Sequence, residues 1–169
     1  MFLFRSSADE EPLSLSEDVL DDNQLIVEFL SLTDLCMPEC DQKSKLRILS
    51  YLTISGDAED QRRSQIITTA HPISSLKEQK IIYDECYTFG LDDLVSEEQL
   101  FLKFQVQDVS QKNRVISYGE TVNLQGLVSD VEYDLEIPLQ TRAVIRSSTS
   151  SYTKLNISLR LVGQIGITL

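Results

Sequence analysis

The segment Leu100–Asp108 alternates apolar and polar side chains with a period of two residues. One face collects the apolar residues Leu100, Leu102, Phe104 and Val106. The opposite face collects Phe101, Lys103, Gln105 and Gln107. Successive side chains of a strand point to opposite sides, so this pattern predicts a strand that is buried on one side only. Together with the strand-like run Ile82–Phe89 that precedes it, the segment indicates a β-architecture.

Strand-like runs continue over most of the chain after Asn23. They are Gln24–Leu30, Lys45–Ile54, Ser64–Thr69, Ile81–Phe89, Leu100–Gln107, Val115–Leu124, Val131–Leu139 and Leu155–Leu161. About eight strands at short and fairly even spacing predict an all-β fold, an eight-stranded antiparallel β-sandwich.

The chain divides into three parts. Its 169 residues suffice for one domain with a substantial core. Residues 1–22 are acidic and serine-rich, and they bury too little to offset the entropy of ordering, so we expect a disordered acidic tail there. We assign residues 23–163 to the sandwich and residues 164–169 to a C-terminal extension.

The net charge limits the classes of partner. The chain has 27 acidic and 15 basic residues, which gives a net charge of −12. A field of this sign opposes non-specific binding to nucleic acid and to anionic lipid. Salt screens the field within about 10 Å, so a local basic patch can still act at short range. We therefore expect no nucleic-acid partner.

Residues suited to catalysis or metal binding are sparse. The three cysteines (Cys36, Cys40 and Cys86) and the absence of an export signal predict free thiols in a reducing, cytoplasmic location. A zinc site would need four ligands, and His71 is the only histidine, so we predict no metal site. No nucleophile has a neighbouring base, and the glycines form no phosphate loop. We expect neither an enzyme, nor a cofactor, nor a small-molecule substrate.

Four short motifs resemble those of the C2 domain, a β-sandwich family. Asn23–Val27 is similar to the family's opening strand, and Thr69–Pro72 to its Thr-Leu-Asn-Pro turn. Tyr83–Phe89 is similar to its Trp/Phe-Asn-Glu-x-Phe-x-Phe strand, and Leu102–Asp108 to its Leu-x-Phe-x-Val-x-Asp strand. The motif sequences are most similar to those of the divergent, calcium-insensitive members of synaptotagmin-type families. The resemblance therefore implies a role in vesicle trafficking.

In C2 domains one strand comes either first or last in the chain. Residues before Gln24 are acidic and loop-like, whereas Lys154–Val162 alternates cleanly. The resemblance therefore implies the version in which the permuted strand lies at the C-terminal end.

Many C2 domains bind calcium through carboxylates in their loops, and the resemblance raises that function here. In the first loop the family's Ser-Asp-Pro-Tyr corresponds to Ser44–Arg47, so Lys45 stands where the family has an aspartate. In the third loop the family's Asp-x-Asp with a further Asp corresponds to Asp108–Ser110 followed by Asn113 and Arg114, so only Asp108 is retained. A positive charge about 4 Å from a divalent ion costs several kcal/mol. Further oxygen ligands remain available from Asp34, Glu39 and Asp41. We nevertheless predict that calcium is not bound, because a lysine and an arginine replace acids.

Two functions from different classes remain. The first is a calcium-independent interaction module that docks a protein partner in a trafficking or scaffold assembly. The second is a peripheral membrane module that binds anionic phospholipids or phosphoinositides through basic loop residues. The candidate contact residues are Met37, Lys43, Lys45, Arg47, Lys112 and Arg114. A second patch beside them comprises Arg62, Arg63, Lys77 and Lys80. The net negative charge favours the protein partner.

Overall fold

The structure is a computed structural model that describes residues 23–35, 40–55, 61–73, 80–91, 99–141 and 152–163. The predicted tail 1–22 and the extension 164–169 lie outside the described residues. So do four individual residues considered above: Cys36, Met37, Glu39 and Lys77.

The described part consists of strands and one 3₁₀ turn at Val109–Gln111. In chain order the strands are β1 Gln24–Thr33, β2 Lys45–Ile54, β3 Ser64–Ile67, β4 His71–Pro72, β5 Ile81–Gly90, β6 Leu100–Asp108, β7 Arg114–Gly119, β8 Val122–Asn123, β9 Glu132–Thr141 and β10 Lys154–Val162. Eight of them follow one continuous path of hydrogen-bonded neighbours, and the short strands β4 and β8 pair beside it. The predicted eight-stranded β-sandwich is confirmed.

The strands form two antiparallel sheets. Sheet A has the order β9-β10-β1-β5. Sheet B has the order β3-β2-β6-β7, with β4 paired to β2 and β8 paired to β6. Strand β9 belongs to both, because Glu132–Pro138 pairs with β10 and Leu139–Thr141 pairs with β7. This strand closes one side of the sandwich, and β3 and β5 form the two edges of the opposite side.

The C-terminal strand β10 lies in the middle of sheet A. It pairs with β1 on one side and with β9 on the other over most of its length. Its inward residues Leu155, Ile157, Leu159 and Leu161 are buried in the core. The permuted strand is therefore at the C-terminal end, as predicted.

The core fills the space between the two sheets. Phe29 from β1 contacts Phe104 from β6 in an edge-to-face arrangement, with ring centroids 6.5 Å apart. Both rings are essentially inaccessible to solvent. Inward residues of β2 and β6 alternate with residues that point to the outer face of sheet B. On that outer face Leu49, Tyr51 and Gln105 are buried, whereas Lys45 is exposed and Arg47 and Lys103 are half-buried.

One predicted strand is divided in two. The run Val115–Leu124 forms β7 and β8, which are separated at Glu120 and Thr121. At Gly119 a Cβ atom would lie 3.1 Å from the Phe104 Cβ. Gly119 also pairs with Leu139 of β9. Strand β7 thus turns away from β6 where it meets β9, a contact between segments that are distant in sequence.

Candidate functional site: the outer face of sheet B

The buried carboxylate of Asp108 organises one end of sheet B. Its Oδ1 accepts hydrogen bonds from Ser110 N (3.0 Å), Ser110 Oγ (2.6 Å) and Lys45 N (3.3 Å). Its Oδ2 accepts from Ser44 Oγ (2.7 Å) and Gln111 Nε2 (3.2 Å). Burial alone would raise the pKa of Asp108, but the hydrogen bonds from Ser110, Ser44 and Lys45 hold that pKa below its ordinary value.

This carboxylate brings predicted site residues to the same end of the sandwich. The backbone of Lys45 donates to Asp108, and Arg114 is the strand partner of Asp108 in the β6–β7 pairing. Lys43 lies in the turn before β2, and Lys112 follows the 3₁₀ turn in a left-handed conformation. All four basic residues are exposed. These four candidate contact residues lie at one end of the sandwich, and their contact with a partner stays a prediction.

The acidic residues near this end do not converge on one point. Asp41 Oδ1 accepts from the backbone of Lys43 at 2.8 Å. Asp34 Oδ2 lies 3.8 Å from Lys154 Nζ. Within the described ranges no group of three or more His, Cys, Asp or Glu side chains is arranged to hold a metal ion.

Further basic side chains lie along the outer face of sheet B, away from this end. Arg47 Nε donates to Gln107 Oε1 at 2.9 Å, across the β2–β6 pair. Farther along, Lys103 lies directly opposite Tyr51. These side chains point outward because their neighbours in sequence belong to the core.

Arg62 lies on this face as well. Its Cζ is 4.5 Å from the centre of the Tyr51 ring, a cation–π geometry. Its Nη2 is also 3.5 Å from Gln105 Oε1. Tyr51, Arg62, Lys103 and Tyr118 are among the residues that line an open cavity of about 610 Å³.

Tyr51, Arg62, Lys103 and Arg47 form a surface that is called the basic face below, and Lys43, Lys45, Lys112 and Arg114 form its adjoining end. Among the described residues of β2, β3, β6 and β7, the only carboxylate is that of Asp108, which is buried. The strands of the basic face therefore contribute no exposed acidic side chain. Sequence reasoning assigned Arg62 to a separate patch and did not include Lys103. The period-two pattern of β6 places Lys103 on the outer face. Only the strand register, which sets Lys103 opposite Tyr51, shows that Lys103 and Arg62 share one surface.

Solved structures share this architecture at low sequence identity. A C2 domain of plant extended synaptotagmin 1 matches with a TM-score of 0.59 and 16% identity, over 84% of this chain and 95% of that one. Human GIVD cytosolic phospholipase A2, in complex with an inhibitor and terbium chloride, matches with a TM-score of 0.57 and 10% identity. A multidomain structure of extended synaptotagmin 2 matches with a TM-score of 0.55 and 13% identity. The chain has the C2 fold.

The comparisons stop at the fold. This chain covers 18% of the phospholipase and 29% of the extended synaptotagmin 2 structure. No protein-family model matches the sequence, and no curated protein matches it either. A shared fold does not establish a shared function, so the function must be argued from the residues of this chain.

The open side of the C2 sandwich is held by a polar cluster around Glu85. Its carboxylate accepts hydrogen bonds from Thr69 N (3.0 Å) and Tyr87 Oη (2.6 Å), and it also bonds the Thr69 hydroxyl. His71 Nε2 lies 3.1 Å from Glu85 Oε1. Glu85 is in β5 of sheet A, whereas His71 is in β4 of sheet B and Thr69 lies in the connection between β3 and β4, so the cluster joins the two sheets. His71 is therefore one of the residues that connect the two sheets.

The cluster affects the ionisation of its members. Burial alone would raise the pKa of Glu85, but hydrogen bonds from Thr69, Tyr87 and His71 lower that pKa to about 2. Burial, together with the hydrogen bond to Glu85, raises the pKa of Tyr87 to about 12. Glu85 is therefore an anion that serves the fold.

The outer face of sheet A of the C2 sandwich differs in charge from the basic face. Carboxylates of this face are Glu28, Asp84, Glu132, Asp134 and Glu136, accompanied by Lys154 and Arg160. The ion pair between Lys154 and Glu136, at 2.7 Å, raises the pKa of the lysine. The two outer faces of the sandwich thus carry opposite charge.

No helix in the part of the chain that the structure describes has the length and apolar character required to cross a bilayer.

Proposed function

We propose that this C2-type module docks on anionic phospholipid surfaces through the basic face, without calcium. Modules with the C2 fold act in membrane or protein interaction. The positive charge of the basic face favours the membrane function over the protein function. The observation that carries the proposal is the arrangement of Arg62 over Tyr51 beside Lys103, on a sheet face without exposed carboxylates from its own strands. A cavity of 610 Å³ there has the size of a small-molecule pocket, which suits a phospholipid head group.

The number of basic residues is sufficient for reversible binding. Each lysine or arginine close to an anionic leaflet contributes about 1 kcal/mol. The basic face offers Arg47, Arg62 and Lys103, and the adjoining end adds four more cations. The half-buried Tyr118 adds an amphipathic ring of the kind found at membrane interfaces, whereas Tyr51 is buried and supports the Arg62 guanidinium above it.

The net charge of −12 does not oppose this contact at close range. Much of the negative charge lies in residues 1–22 and on the outer face of sheet A. At physiological ionic strength the Debye length is about 8 Å, so charges on the far side of the sandwich act weakly on the basic face. Local charge then decides the binding.

The groups around Asp108 support the proposed calcium independence. Both oxygens of this carboxylate already accept hydrogen bonds from protein donors. Calcium requires six to eight oxygen ligands, several of them anionic. Asp34 pairs with Lys154, and Asp41 accepts a hydrogen bond from the backbone of Lys43. Lys45, whose backbone donates to Asp108, also places a positive charge near this carboxylate. We therefore expect the same lipid affinity with calcium and with a chelator.

Vesicle co-sedimentation of the full chain tests the proposal. Vesicles of phosphatidylcholine with phosphatidylserine are compared with vesicles of phosphatidylcholine alone, at low and at physiological salt. We expect binding to the anionic vesicles only, weakening as salt increases. The double variant Arg62→Gln/Lys103→Gln should bind roughly 30-fold more weakly, because two cations are lost.

The matched control is Lys154→Gln/Arg160→Gln, which removes one lysine and one arginine from sheet A. This control should bind within about twofold of the unmodified chain, since its charges face away from the lipid. Equal weakening in both double variants, or no binding to anionic vesicles at low salt, would contradict the proposed function. A requirement for calcium would contradict its calcium independence.

A protein partner is the second candidate, and the acidic outer face of sheet A favours it. The carboxylates of Glu132, Asp134 and Glu136 follow one another along one side of β9. A partner that docks there would carry complementary positive charge, which steers association. Asp84→Asn/Asp134→Asn should weaken such a partner and leave vesicle binding unchanged. The two surfaces lie on opposite sides of the sandwich, so the two functions are separable by mutation.

A further inference from the structure

The charge of residues 1–22 is complementary to that of the basic face. This segment contains seven acidic residues and one basic residue, Arg5. The acids are Asp9, Glu10, Glu11, Glu17, Asp18, Asp21 and Asp22. The basic face and its adjoining end present Lys43, Lys45, Arg47, Arg62, Lys103, Lys112 and Arg114. The strongest local negative charge in the sequence is thus covalently attached to a domain with one positive face.

We infer that residues 1–22 dock on the basic face and compete there with anionic lipid. This inference rests on the proposed function, because it names a regulator of the same surface. The proposed ligand of the basic face is thus a segment of the same chain. It shares with an anionic membrane only its negative charge.

The geometry of the chain permits this contact. Residue 23 is held at the start of β1, where its carbonyl accepts from Leu91 N at 2.8 Å. A segment of 22 residues spans up to about 70 Å when extended. Strand β2, which runs the length of the basic face, is about 33 Å long at 3.3 Å per residue. The sheets of a sandwich pack about 10 Å apart, so the segment can pass around the edge and reach the opposite face.

Tethering makes a weak contact effective. A short linked segment has an effective concentration near its binding site in the millimolar range. Ion pairs between exposed side chains contribute little individually, and seven acids facing seven bases act as a network. The contact is then strong enough to lower lipid affinity and weak enough for a highly charged membrane to displace it.

The contact also explains the distribution of charge in this sequence. An exposed basic face on an otherwise acidic protein would attract nucleic acid and other polyanions without specificity. An acidic segment on the same chain suppresses such encounters, because it must be displaced first. Only a surface with a high density of negative charge then gains access.

The test uses full chains that differ in three charges. The tail variant carries Glu17→Gln, Asp18→Asn and Asp21→Asn. The matched control carries Glu28→Gln, Asp84→Asn and Asp134→Asn, one glutamate and two aspartates from the outer face of sheet A. Asparagine tolerates the left-handed backbone of Asp84, where φ is 49°. Affinity for phosphatidylserine vesicles and the NMR shifts of backbone amides in β2 and β6 are measured for all three chains.

We expect the tail variant to bind vesicles about tenfold more tightly than the unmodified chain, as a coupling of 1–3 kcal/mol between two ligands implies. Its amide shifts should change around Tyr51 and Lys103 in the absence of lipid. The control should bind within about twofold and show no shift changes in β2 and β6.

The outcomes separate this inference from the proposed function. If all three chains bind vesicles equally and the amides of β2 and β6 do not shift, the inference is wrong and the membrane function stands. If none binds vesicles but the tail variant alone shifts those amides, the tail contact stands and the membrane function is wrong. If neither binding nor shifts are observed, both are wrong.

Discussion

Ser44 Oγ donates a hydrogen bond of 2.7 Å to Asp108 Oδ2, although the two residues are 64 positions apart in the sequence. The bond joins the residue before β2 to the last residue of β6, and both side chains are inaccessible to solvent. The same carboxylate also accepts from the backbone of Lys45 and from the 3₁₀ turn. A buried acid that resembles a metal ligand in sequence is therefore a structural centre of the loop end.

This arrangement predicts a large loss of stability when the carboxylate is removed. Asp108→Ala leaves the buried Ser44 hydroxyl and the Ser110 and Lys45 donors without their acceptor. We expect the free energy of unfolding to decrease by about 3 kcal/mol, because hydrogen bonds to charged groups are among the stronger ones and unpaired buried groups are costly. Thermal and urea unfolding measure the change. The exposed Asp134→Ala on β9 is the control, with an expected change within about 0.5 kcal/mol. Equal effects of the two substitutions would refute the structural role.

The lowered pKa of Glu85 predicts a pH dependence of stability. The folded pKa of about 2 is below the ordinary glutamate value of 4.5, so the ionised carboxylate favours the folded state. Its contribution is fully present above pH 4.5 and is lost as the pH falls towards 2. We expect the stability difference between the unmodified chain and Glu85→Gln to be largest near pH 6 and to shrink below about pH 4.5. Denaturant unfolding of both proteins across this range measures it. A difference that is constant with pH would show that the ionisation of Glu85 does not contribute.

The central position of β10 predicts a large loss of stability on substitution of one residue and almost none on substitution of its neighbour. Leu159 points into the core and is inaccessible, whereas Arg160 is exposed on the outer face of sheet A. Leu159→Ala should lower the free energy of unfolding by about 2–5 kcal/mol, because it removes buried methyl groups and leaves a cavity. Arg160→Ala should change it by less than about 0.5 kcal/mol. Urea denaturation gives both values, and a large effect at Arg160 would show that the strand faces the other way.

Local pattern made the strands predictable, since one-sided burial imposes a period of two. Strand β2 begins and ends at the predicted residues Lys45 and Ile54. The break between β7 and β8 was not predictable, because it arises where Gly119 meets β9 and Phe104, and such long-range contacts leave no period in the sequence.

The candidate site was predictable only in part, for a related reason. The sequence identified Lys43, Lys45, Lys112 and Arg114 as candidate contact residues through the resemblance of their segments to loops of the C2 family. The approach of Arg62 to Tyr51 and Lys103 depends on strand register, which a single sequence does not specify. The faces of a sandwich therefore carry sites that loop motifs do not reveal.

The stacking of Arg62 on Tyr51 leads to a prediction that distinguishes shape from charge. Tyr51→Leu keeps every charge of the basic face but removes the ring over which the guanidinium lies, 4.5 Å from its centre. Without the ring, Arg62 samples more rotamers and loses a cation–π contact, which contributes about 0.5–1 kcal/mol when the cation is exposed, as Arg62 is. We expect affinity for phosphatidylserine vesicles to fall about threefold, with the salt dependence unchanged because no cation is lost. Tyr51→Phe keeps the ring and should bind like the unmodified chain. If Tyr51→Leu instead binds normally while Arg62→Gln binds weakly, the arginine acts by charge alone and its placement over the ring is not required for docking.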